Sequence, residues 1–431
     1  MDLPELVLVV IYVLILSFVI IRWKFFSRFS INPKIIVLIF IIKVISGICY
    51  GFIVGGDANA YFNDSRIVFC TLKDNLLLYL RLVFGLSYGN PAPELVPFKD
   101  AMSYYTTPGS YLLVRFHSIV RLISQGYYNV HVVFYNFIIL VGILYLFRFL
   151  LDILPAKKNL LIAVVFLFPS ILFWSSGMHK EGISLFALGI LLTSIHEILT
   201  STQQKSFQRL SMHLLTVAAA FIIIYYARNF LFLLLLPFLT AWIITLKFPK
   251  HKLIKFAAVT IIWIFAVLNL NFIVPGGDLI NRMVVMQMEF KDIAGQSTQV
   301  TSPSIEPSLS GILRAIPMAL KNCFLEPQIA KSKNIWQLFS AAENLIIIIL
   351  VLSALIIRKN NLSHAEQSLC LFSLFFAFSI FIVTGITVPI LGALVRYKIT
   401  GVLFLLIAAV VVYDDKFTRK KITINLPGVE K

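Results

Sequence analysis

Charge is scarce in this chain, and acidic charge scarcest. Of 431 residues, 13% are charged, with 20 Asp+Glu against 37 Lys+Arg. Soluble domains carry about 25% charged and about 45–50% apolar residues, whereas the apolar share here is 59%. So few charges cannot cover a water-exposed surface, which excludes a soluble globular protein. Cysteine is sparse too: Cys49, Cys70, Cys323 and Cys370 show no CxxC spacing. That supports neither a zinc site nor a disulfide framework, and leaves open only a bridge between Cys70 and Cys323. There is no P-loop, no GxSxG elbow and no HExxH motif. His117, His131, His196, His213, His251 and His364 are scattered, and each is expected to pack or to face solvent. Nucleotide hydrolysis, serine-type acyl transfer and zinc proteolysis all lack their signatures.

What the chain does have is long apolar runs near the roughly 20 residues that cross about 30 Å of hydrocarbon. We read eleven spans, at 5–22, 35–54, 130–149, 159–175, 182–199, 211–226, 230–247, 254–272, 336–357, 366–384 and 397–413. Helices follow, because an isolated span must satisfy its own backbone. The expected fold is an all-α, polytopic integral membrane protein with residues 1–431 as one membrane domain. The first span has no basic n-region before it, so it reads as an anchor rather than a cleaved signal.

Orientation follows from the positive-inside rule. With the N-terminus outside, the segments 22–34, 148–158, 196–213, 247–255, 358–366 and 413–431 face the cytoplasm. They hold 20 Lys+Arg and 6 Asp+Glu, a balance of +14 out of the total +17. The net charge therefore reports topology and contact with anionic lipid, not nucleic-acid binding. Two outer segments are long. In the first, 55–129, the stretches 71–84 and 109–124 place apolar residues at helical spacing with basic residues between, as interfacial helices do. The second, 273–335, carries an amphipathic stretch and then a Ser/Thr/Pro-rich piece, GQSTQVTSPSIEPSLSG.

Five polar clusters are expected at the outer ends of spans: GGDANAYFND (55–64), WSSGMHKE (174–181), YYARN (225–229), PGGDLINR (275–282) and GALVRYK (392–398). Their common depth points to an outward-facing cavity. In the first cluster Gly55 and Gly56 permit a sharp turn, and Asp57, Tyr61 and Asp64 share a helix face. Asp57, and after it Asp64, could serve as general base towards a hydroxyl or bind sugar hydroxyls; a turn with an N-cap explains the same residues structurally. Glu181 suits the first turn of a helix. Lys180 does not, and would instead suit a phosphate at that helix end. His179, Arg228, Asn229, Arg396 and Lys398 complete the candidate binding set, with Arg228 and Arg396 able to clamp phosphate oxygens. Snorkelling to the headgroups is the structural alternative for the cations, and Lys43, Arg115 and Arg121 are expected to snorkel or to lie at the interface rather than to serve the site.

The pattern resembles GT-C-type glycosyltransferases and the related O-antigen or capsule repeat-unit polymerases. In GT-C enzymes an acidic residue follows the first spans in the first outer loop, and interfacial helices come after it. Asp57 in GGDANAYF resembles that arrangement, although it follows two spans where many of those enzymes have one. The stretches PSILFWSSGMHKEG, WQLFSAAENLIIIIL and GALVRYKI resemble segments of membrane proteins from polysaccharide gene clusters. The resemblance implies an enzyme of the cytoplasmic membrane, acting at its outer face on a glycan carried by polyprenyl phosphate or pyrophosphate. Asp57 would be the base, and Lys180, Arg228 and Arg396 would hold the lipid phosphate. No metal or other cofactor is required, and other polysaccharide-assembly proteins would be partners. A transporter of lipid-linked glycans and a non-catalytic envelope scaffold are the competing readings.

Overall fold

The computed structural model describes residues 1–85, 93–200, 207–272, 277–293, 299–302 and 305–414. Pro275 and Gly276 of PGGDLINR, residues 295–298 and 303–304 of the Ser/Thr/Pro-rich piece and the basic tail from 415 lie outside them. The described residues are 84% helical, and among them there is no strand, only two isolated bridges. Among the described residues, eight helices are long and apolar enough to cross a membrane, or ten if each of two bent helix pairs forms one span. This is a multi-pass membrane protein. The span expected at 254–272 is the helix Lys252–Leu268, 17 residues, or about 25 Å at 1.5 Å per residue. The helices cluster into two compact units, 1–152 with 165–232, and 153–164 with 233–431.

The first unit begins with α1 (Leu3–Arg22), whose Asp2 cap accepts from the Glu5 amide at 2.9 Å. Next come α2 (Pro33–Ile53), started by Asn32 and Pro33, and α3 (Gly56–Asp74). The turn between α2 and α3 has Gly55 at φ +57° and Gly56 at φ +41°, a conformation that favours glycine. The stretch 71–84 is divided: Asn75 ends α3, and its side chain caps α4 (Leu76–Phe84) through the Leu78 amide at 3.0 Å. The other expected interfacial helix is α5 (Pro108–Ser124), which buries one face against α3. Then follow α6 (Tyr128–Ile153), α7 (Pro169–Ser176), α8 (Lys180–Thr200) and α9 (Phe207–Ala227). The buried Glu5 accepts from both the backbone and the side-chain amide of Asn129, each at 2.9 Å, so α1 and α6 start on the same side. In lipid, burying apolar surface drives little helix association, and close packing at small residues takes over. Gly142 of α6 and Gly189 of α8 serve that purpose: a methyl group on Gly189 would strike the Gly142 carbonyl.

The second unit holds α10 (Asn229–Lys247, most of it), α11 (Lys252–Leu268), α12 (Leu279–Ile293), α13 (Leu309–Leu325), α14 (Ile335–Ile356), α15 (His364–Thr387), α16 (Leu391–Tyr397) and α17 (Ile399–Val412). Its core is the α15–α17 pair, where Phe376 meets Phe404 edge-on at 4.9 Å and Trp242 packs on Phe372. All four cysteines are free thiols.

Candidate functional site

The first unit gathers most of the polar residues singled out in the sequence. Asp57 lies in the first turn of α3, half-buried, where a carboxylate is favoured by the helix dipole. The Tyr104 hydroxyl donates to Asp57 Oδ1 at 3.0 Å, and the Tyr104 amide donates to Asp64 Oδ2 at 2.9 Å. The two acids of α3 thus clasp one loop between them. Asp64 is buried, and burial pushes its carboxyl up despite the amides of Ser103 and Tyr104. Tyr61, between them on the helix, places its ring 4.8 Å from that of Tyr104 and 6.1 Å from that of His179.

His179 leads into the stretch WSSGMHKE. Its Nε2 pairs with the Tyr50 hydroxyl, and its carbonyl accepts from the Tyr135 hydroxyl. Lys180 and Glu181 open α8, and the nearly buried Glu181 accepts from the Arg228 guanidinium. Asp57, Tyr61 and His179 are therefore joined by a short series of contacts through Tyr104, and the Glu181–Arg228 pair begins two residues after His179 in the chain. Lys180 is half-buried beside them; Asn229 is exposed and accepts from the next residue's amide. Among the described residues, no three His, Cys, Asp or Glu side chains are arranged to hold a metal ion.

Two cations are placed differently from the expectation. Arg121 of α5 is buried and donates to Ser65 Oγ at 2.8 Å and to the Phe62 carbonyl at 2.6 Å, and Lys43 is turned inward as well. Lys43 of α2 is 1% exposed, and its ammonium donates to Ser175 Oγ at 2.8 Å and Ser176 Oγ at 3.0 Å. Counted along α2, Lys43 lies about 15 Å inside the Ile53 end, and Tyr50 only about 5 Å. WSSGMHKE therefore runs beside α2 from mid-span towards its end, instead of sitting at the surface. The close fit has a local reason. A methyl on Gly47 would meet the Ser176 carbonyl, and one on Gly177 would meet the Tyr50 ring.

Lys43 is accordingly turned inward and does not snorkel. It meets the carboxyl-terminal end of α7, where the helix dipole stabilises a cation. Two other buried lysines are used in the same way. Lys157 donates to the carbonyls of Val410, Val411 and Tyr413 at the end of α17. Lys398 donates to the Cys323 carbonyl at 2.6 Å, to Asn344 Oδ1 at 2.9 Å and to the Glu326 carbonyl at 3.4 Å, at the end of α13. Lys398 and the half-buried Arg396 belong to the second unit.

A second polar cluster had no signal in the sequence, because its members lie 7 and 14 residues apart. Ser124 Oγ is 2.7 Å from His131 Nε2, and the Nδ1 atoms of His131 and His117 are 3.0 Å apart. The order Ser–His–His is that of a nucleophile relay, but the environment opposes base catalysis. All three side chains are fully buried. Burial, with Arg121 adding to it, pushes the His117 imidazole down to about 3, so it stays neutral and ties α5 to α6. Since the unfolded chain protonates this group near pH ~6.5, the unfolded state binds more protons between about 6.5 and 3. The stability conferred by neutral His117 is complete above ~6.5 and falls on acidification by up to about 1.4 kcal/mol per pH unit. Melting temperatures in detergent across this range are expected to fall more steeply for the parent than for His117→Asn.

Comparison with protein-family models, with curated proteins and with solved structures gave no match to this chain.

Proposed function

We propose that the protein is a membrane glycosyltransferase acting at the outer face of the cytoplasmic membrane, with its N-terminus outside and its C-terminus in the cytoplasm. It transfers a sugar or oligosaccharide from a polyprenyl phosphate or pyrophosphate carrier during envelope polysaccharide synthesis. The observation that carries this reading is the series of contacts from Asp57 through Tyr104 and Tyr61 to His179, with the Glu181–Arg228 ion pair beginning two residues further along the chain. A carboxylate and cations on the first unit are the groups this reaction needs. In the reaction Asp57 takes the proton of the acceptor hydroxyl as its oxygen bonds the anomeric carbon. The bond from that carbon to the phosphate oxygen breaks, and the leaving phosphate gains charge opposite Lys180 and Arg228, where fixed cations stabilise it most. To test the reading, the protein is reconstituted with lipid-linked glycans extracted from its host. The expected result is a longer glycan together with released polyprenyl phosphate or pyrophosphate.

One observation favours a second reading. Lys43 and Lys398 are buried, with Lys43 lying within a membrane-crossing helix and Lys398 at the break between α16 and α17. Discontinuous helices and interior charge are features of transporters. Passage of the lipid-linked glycan across the vesicle, without any change in its mass, would favour transport over transfer.

A further inference from the structure

At one end of the second unit, three helices converge on a cleft of about 470 Å³, lined by Arg358, Lys359, Asn360, Leu362, Gln367 and Val412. It forms because the chain leaving α14 pairs with the chain leaving α17. The Lys359 amide donates to the Val412 carbonyl, and the Asp414 amide to the Ile357 carbonyl, both at 2.8 Å. The start of α15 closes the third side. Here Ser363 and Glu366 cap each other's backbone, which fixes Gln367 over the opening.

The charges around this cleft are mostly spent. Lys359 is held by both oxygens of Glu366 at 2.9 Å, and Glu366 also accepts from the Ser363 amide at 2.7 Å. Lys252 donates to Gln367 Oε1 at 3.0 Å and to the His364 carbonyl at 2.9 Å. Lys157 is taken up by the last carbonyls of α17. Asp414 is the other acid nearby. Arg358 and Asn360 differ: both are exposed, and among the described residues neither side chain has a hydrogen-bond or ion-pair partner. A fork of guanidinium donors and an amide are thus left facing the opening. Immediately before them, α14 exposes Leu352 (52%), Leu355 (58%) and Ile356 (81%), an apolar strip suited to an acyl chain.

From this juxtaposition we infer that the cleft binds the headgroup of an anionic phospholipid bearing hydroxyls, of the phosphatidylglycerol kind. Arg358 grips the phosphodiester oxygens in the bidentate manner that guanidinium allows. Asn360 meets a headgroup hydroxyl, and the acyl chains lie on Leu352, Leu355 and Ile356. A soluble phosphate ester would satisfy Arg358 but leave the apolar strip unused, which is why the lipid is the better occupant. Basic pockets at the ends of membrane helices have this use generally.

The test uses the full-length protein in vesicles containing phosphatidylcholine and phosphatidylglycerol, extracted gently and weighed intact by native mass spectrometry. The parent is expected to keep phosphatidylglycerol and to shed phosphatidylcholine. Arg358→Gln should lower the retained lipid about tenfold, which is about 1.4 kcal/mol. It should leave the elution profile and melting temperature unchanged, because the residue is exposed. Arg22→Gln, removing an exposed cation at the end of α1, should retain the lipid. Retention by Arg358→Gln equal to the parent overturns the assignment, as does equal loss from Arg22→Gln. Full displacement of the lipid by soluble glycerol 3-phosphate would assign the cleft to a free phosphate ester and overturn the lipid reading.

Discussion

Replacing Asp57 by Asn is expected to lower glycosyl transfer by at least about a hundredfold, the lower end of what a general base contributes. The substitution removes charge and basicity while keeping shape. An amide oxygen can still accept from the Tyr104 hydroxyl, 3.0 Å away, so the turn at Gly55–Gly56 and the loop over α3 should persist. Asp64→Asn is the informative contrast, because Asp64 is buried against the amides of Ser103 and Tyr104. Its loss should loosen the loop and lower the melting temperature before it affects chemistry. The measurement is the size of lipid-linked and surface glycans in the native host, with protein level matched. Loss of the glycan ladder with one repeat unit retained would identify a polymerase. A repeat unit lighter by one sugar would identify a single-sugar transferase. Unaltered glycans from a well-expressed Asp57→Asn protein would remove Asp57 as the base and move the transport reading ahead.

How much of this was legible depended on whether the information was local. Spans are local, since a run of apolar residues needs no partner to declare itself. Eight of the expected spans are single helices, whereas those at 159–175 and 397–413 are bent helix pairs broken near Phe168 and Lys398. The helix at Lys252–Leu268 fell short because 269–272 tighten into a turn. The shared face of Asp57, Tyr61 and Asp64 was legible from helical spacing alone. The Asn75 cap was equally local, but an apolar pattern running through it concealed the break. Partnerships across the sequence were not legible. Glu181 and Arg228 are 47 residues apart, Tyr104 and Asp57 also 47, and Lys43 and Ser175 are 132. A lone lysine in an apolar run looks the same whether it reaches the headgroups or turns inward to a helix end. Only the path of WSSGMHKE beside α2 distinguishes the two.

Arg228→Met is expected to destabilise the protein by about 3–5 kcal/mol, because it strands Glu181 as a buried carboxylate without its counter-ion. The pair is 10% and 4% exposed at its side chains, so solvent does little to screen the loss. Neutralising both partners in Glu181→Gln/Arg228→Met should restore most of that stability, since breaking a buried pair costs far more than removing it whole. A double-mutant cycle of melting temperatures in detergent measures this coupling. The same cycle, run on transfer, distinguishes the two roles open to Arg228. If the guanidinium serves only to neutralise Glu181, the double variant recovers stability and transfer together. If it also meets the phosphate of the lipid carrier, the double variant recovers stability while transfer stays low. Arg228→Lys would then fold and still transfer poorly, because an ammonium supplies charge at that position without the planar pair of donors that a phosphate oxygen pair requires.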